Sequence, residues 1–68
     1  MFTPTARETQ IMEFLKQGNA PRSKAEIIEA FPDERSTLAA IEGCLAKHFV
    51  AQDATGQLVL TESGRKQI

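Results

Sequence analysis

The chain has little of what marks a specialised protein. Four phenylalanines are its only aromatics. A stacking platform for single-stranded nucleic acid needs several exposed rings, whereas Phe14, Phe31 and Phe49 fall on expected core faces and leave only Phe2 free for a partner. A single cysteine, Cys44, cannot form a disulfide within the chain and fits a reducing compartment. No stretch approaches the roughly 18 apolar residues of a membrane span. No basic segment followed by an apolar run opens the sequence, so the expectation is a cytoplasmic protein with no membrane partner. Charge of one sign is also lacking: eight Lys and Arg against nine Asp and Glu give a net charge of -1, which argues against a basic nucleic-acid tail.

Catalytic groupings are equally sparse. Cys44 and His48 stand four apart, the spacing at which helical side chains meet. A zinc site needs four ligands, and the chain has no further Cys or His. A nucleophilic cysteine needs an exposed, electropositive pocket, while Cys44 borders an apolar stripe. The pair therefore reads as a buried cysteine and a histidine at the core edge. There is no glycine loop to cradle phosphate, and the glutamates are scattered rather than paired. No catalytic group, metal or cofactor is expected, and the chain does not read as an enzyme.

What is present fits one small domain spanning residues 1–68, with 41% hydrophobic and 25% charged residues. A domain of this size buries only about 60% of its unfolded surface, so its core must be economical. A first helix begins either at Thr3-Pro4, with threonine as cap and proline in the first turn, or two residues later, with Thr5 and Glu8 as a capping box. Ile11, Phe14 and Leu15 share its apolar face, and Gly18-Asn19 ends it. Pro21 marks a short extended link. Ser23 and Glu26 make a second capping box, Ile27, Ile28 and Phe31 the apolar stripe, and Pro32 the stop of a helix barely two turns long. Asp33 caps a third helix after a connection of two or three residues, and helices joined so closely must cross steeply. Phe49–Gln52 and Gln57–Leu60 are strand-like around the turn Asp53-Ala54-Thr55-Gly56, with Phe49, Ala51, Leu58 and Leu60 facing the helices if alternation holds. Thr61-Glu62-Ser63 caps a last helical turn.

This order resembles the winged helix-turn-helix domain of bacterial and phage transcription regulators, over essentially the whole chain. The resemblance is carried by Ile11-Met12-Glu13-Phe14-Leu15, Ser23-Lys24-Ala25-Glu26-Ile27-Ile28, Ser36-Thr37-Leu38, Leu45-Ala46-Lys47-His48-Phe49-Val50 and Leu60-Thr61-Glu62-Ser63-Gly64-Arg65. It implies a mainly α fold: a three-helix core, a two-stranded wing and a short C-terminal helical turn. The chain departs from the pattern at His48, where glycine is usual before the wing, and at the wing tip, which offers Asp53 and no cation.

The resemblance also implies a DNA-binding regulator whose third helix, about residues 34–47, enters the major groove. Arg35, Ser36 and Thr37 would read bases, and Arg22, Lys24 and Lys47 would hold phosphates. A homodimer is expected, because one weakly charged module binds DNA poorly. Projection at 100° per residue turns Leu38, Ile41 and Leu45 inward and Ser36, Ala39, Ala40, Gly43 and Lys47 outward. That outward face is nearly bare of base-reading side chains, and Asp33, Glu34 and Glu42 would repel phosphate. The alternative is a protein-interaction module or inhibitor on the same scaffold, with Ala39, Ala40 and Gly43 as the contact surface. Glycine inside a helix costs about 1 kcal/mol relative to alanine, so Gly43 needs a packing reason.

Overall fold

Capping chemistry starts each helix in a computed structural model that describes residues 3–68; Phe2, expected as a free ring, lies outside them. Helix α1 (Ala6–Gly18) opens at Thr5, the later of the two expected starts. The Thr5 hydroxyl accepts from the Glu8 N–H, and the Glu8 carboxylate accepts from the Thr5 N–H at 2.9 Å. Asn19 ends α1 in the left-handed region, φ 47°, and its N–H donates to the Leu15 carbonyl. Ser23 and Glu26 form the second reciprocal box at the head of α2 (Lys24–Ala30). Phe31-Pro32-Asp33 makes the turn, and Asp33 accepts from the Ser36 N–H to open α3 (Glu34–Ala46).

Helix α3 ends in a Schellman motif. The Phe49 N–H donates to the Cys44 carbonyl at 2.9 Å and the His48 N–H to the Leu45 carbonyl at 3.1 Å. His48 occupies the left-handed position, φ 63°, that glycine normally takes. A side chain there costs about 1–2 kcal/mol. Strands β1 (Val50–Gln52) and β2 (Leu58–Leu60) then pair antiparallel, with Val50 opposite Leu60 and Gln52 opposite Leu58. The Asp53 carboxylate organises their turn by accepting from the Thr55 N–H and hydroxyl and from the Gln57 N–H. Gly56 supplies the positive φ, 83°. Thr61 caps α4 (Glu62–Arg65) by accepting from the Gly64 N–H.

The expected extended link does more than connect α1 to α2. Arg22 pairs with Leu58 as an antiparallel bridge, donating at 3.0 Å and accepting at 2.7 Å, so the link adds a third strand position to the hairpin.

The core joins Ile11, Met12 and Leu15 of α1 to Ile27 of α2, to Ala40, Ile41 and Cys44 of α3, and to Phe49, Val50 and Leu58. Full burial of a side chain such as Ile11, Ile41 or Leu58 is worth about 1.5–3 kcal/mol. Two expected facings are corrected. The ladder begins at Val50, so Val50 rather than Ala51 joins Leu58 in the core, and Phe49 is buried from the irregular residue before the strand. Helix α3 buries Thr37, Ala40, Ile41 and Cys44, while Leu38 and Leu45 are only half-buried. At 100° per residue that is a rotation of roughly 80° from the Leu38–Ile41–Leu45 face. Leu45 still packs against the core cluster, whereas Leu38 does not belong to it.

Candidate recognition surface

The rotation of α3 follows from what sits under it. Thr37 is fully buried because its hydroxyl has an internal acceptor: it donates to the Phe31 carbonyl at 2.7 Å, which ties the α2–α3 turn to α3. On the next flank Gly43 leaves a notch for Glu8 of α1. An added Cβ at Gly43 would collide with Glu8 Oε2. The Glu8 side chain is 5% exposed, and its Oε1 accepts from Lys47 Nζ at 2.8 Å. The Lys47 ammonium also donates to the Thr3 carbonyl at 3.2 Å. One carboxylate thus caps α1, fills the notch in α3 and holds the last residues of that helix.

These contacts redistribute the expected site residues. Thr37 cannot read a base, since it is buried and its hydroxyl is engaged within the chain. Lys47 is held in the ion pair with Glu8 and is not a free phosphate contact. Arg22 pairs with Glu26 at 3.2 Å, and its guanidinium lies over the Phe14 ring, 5.9 Å from the centroid. Its role is to clamp the link onto α1 and α2. Lys24 and Arg35 are exposed, at the first residue of α2 and the second of α3, and Ser36, next to Arg35 in sequence, is half-buried. The expected contact surface of Ala39, Ala40 and Gly43 is likewise reduced to Ala39: Ala40 is 6% exposed and Gly43 is covered by Glu8. The packing reason for Gly43 lies inside the chain.

What α3 turns outward is different. Arg35, Ala39, Glu42 and Ala46 are exposed, with half-buried Leu38 on their shoulder. Their spacing of four, three and four is a single helical stripe. It was readable in the sequence but was masked there by the preference for burying leucine before threonine.

Cys44 and His48 do not share an environment. Cys44 is fully buried, its Sγ directed at the Glu8 carbonyl, and burial pushes its thiol up to about 12. His48, expected at the core edge, is exposed because its left-handed backbone turns it away from α3. No group of three or more His, Cys, Asp or Glu side chains converges among the described residues. Phe14 and Phe31 are half-buried and meet edge to face, with centroids 5.9 Å apart. The chain matches no protein-family model, no curated protein and no solved structure.

Proposed function

We propose that the chain is a winged helix-turn-helix DNA-binding module of a cytoplasmic regulator, which lays α3 along the major groove. The observation that carries this reading is the uncovered outward side of α3, which follows a three-residue turn from α2 and bears Arg35 at its N-terminal end. Such helices meet bases with their first residues. Arg35 and Ser36 are the reading side chains and Lys24 the phosphate contact. The set is small, so binding is weak and carries little sequence preference.

Fluorescence anisotropy with a labelled duplex tests it through the salt dependence. The single phosphate-neutralising cation, Lys24, gives a slope of log K against log salt of about -1, and Lys24→Ala brings it close to zero. No detectable affinity at low salt, or a flat slope, removes the proposal. A second reading, protein recognition by the same side of α3, is favoured by its make-up: Leu38, Ala39 and Ala46 with Glu42. Ala39→Arg separates the two. A cation added to a DNA-facing helix tightens duplex binding several-fold, whereas on a protein-facing helix it leaves that binding unchanged.

A further inference from the structure

We infer that α3 also pairs, antiparallel, with α3 of a second copy of this chain, across a twofold axis passing between Leu38 and Ala39. Arg35, Leu38, Ala39 and Glu42 recur at the spacing that places four side chains on one side of a helix, with Arg35, Ala39 and Glu42 exposed and Leu38 half-buried. Arg35 and Glu42 have opposite charges and lie two turns apart. Neither takes part in an ion pair within the chain among the described residues, where Arg22, Lys47 and Lys66 are paired with Glu26, Glu8 and Glu62.

A twofold at that point sets Arg35 of each copy against Glu42 of the other and Leu38 of each against Ala39 of the other. The surface is therefore complementary to itself, as an isologous contact requires. The methyl group of Ala39 lets the helix axes approach to about 8 Å, the near end of the range for packed helices. A parallel arrangement is excluded, because it would oppose Arg35 to Arg35 and Glu42 to Glu42. Leu38, the large apolar side chain of α3 that the monomer leaves half-buried and out of its core, gains cover in the antiparallel pair.

One pair of helices covers less than the ~800 Å² per partner of a stable interface, so the dimer is transient and forms at high protein concentration. It also covers Arg35 and the outward side of α3, so self-association and the proposed DNA contact are mutually exclusive. Self-association is measured without DNA and stands independently of that reading.

The test is a dilution series of amide spectra from about 1 mM to about 20 µM, a range that brackets weak association. The expected result is concentration-dependent shifts at Arg35, Leu38, Ala39 and Glu42, with none at the far end of the chain around Lys66. Arg35→Glu alone weakens association about tenfold or more by opposing like charges. Adding Glu42→Arg restores it. Both side chains are exposed, and circular dichroism of each variant verifies the fold. Spectra that do not change up to 1 mM, shifts that map to another face, or a double variant that fails to re-associate would each overturn the inference and leave the DNA proposal untouched. Loss of duplex binding with self-association intact overturns only the latter.

Discussion

Replacing Gly43 with alanine should destabilise the protein, the reverse of what the same change does in an ordinary helix. On a free helix surface the added methyl stabilises by about 1 kcal/mol. In this chain it would occupy the place of Glu8 Oε2. Glu8 cannot withdraw cheaply, because its carboxylate also accepts from Lys47 Nζ and from the Thr5 N–H. A charge-assisted hydrogen bond sheltered from water is worth about 1.5–3 kcal/mol, and loss of half a capping box about 0.5–1 kcal/mol. Set against the propensity gain, the net destabilisation is about 1–3 kcal/mol, or a fall in melting temperature of about 5–20 °C for a domain of this size. Thermal and urea melts followed by circular dichroism measure it. In a Glu8→Ala background the notch is empty, so Gly43→Ala should there stabilise by about 1 kcal/mol. A stabilising Gly43→Ala in the otherwise unchanged chain would refute the whole account of the α1–α3 contact.

Other outcomes are equally specific. His48→Gly relieves the left-handed strain at the Schellman position and should raise stability by about 1 kcal/mol in a thermal melt; a loss would show that the His48 side chain matters. Thr37→Val keeps the shape but leaves the Phe31 carbonyl without its donor, which should cost about 1–3 kcal/mol in urea unfolding. Hydrogen bonds from the Thr55 side chain and from the turn backbone hold the Asp53 carboxyl below its usual value, and those from Ser23 and Arg22 do the same for Glu26. Groups lowered in the folded state contribute stability above their ordinary carboxylate range and lose it as pH falls through the folded values. The urea midpoint should therefore drop below about pH 4.5, and less so in Asp53→Asn. Burial keeps the Cys44 thiol protonated, at about 12, so a thiol reagent at pH 8 should label it only at the rate of unfolding; rapid labelling of the native protein would contradict its burial.

How far the sequence could be read depended on the range of the forces involved. Thr5 with Glu8, Ser23 with Glu26, Asp33 and Thr61 each start a helix through partners three residues away, so every helix start was legible. The end of α2 at Pro32 and the Asp53–Gly56 turn were equally local. The rotational setting of α3 was not, because it is decided by side chains distant in sequence. Leucine outranks threonine and alanine in hydrophobicity, yet Thr37 is buried with its hydroxyl on the Phe31 carbonyl, Ala40 joins the core, and Gly43 lies against Glu8. The candidate site shifted with that setting. Thr37, Lys47, Ala40 and Gly43 turned inward or became engaged, Arg22 was taken up by Glu26, and Leu38 and Glu42 emerged. Gly43 did signal a close approach, but not that the approaching group would come from α1.

The bridge between Arg22 and Leu58 also bears on how the chain acquires its shape. In the stretch that separates α1 from α2, the Arg22 backbone finds its hydrogen-bond partner in the second arm of the hairpin, far along the polypeptide. Helix α3 can cover much of Ile11, Met12 and Ile27 before that, but the link gains this backbone partner, and the core its Leu58 side chain, only when the hairpin docks. Closure of the core on the hairpin side thus depends on a contact between residues far apart in sequence, the kind whose loop-closure entropy slows folding.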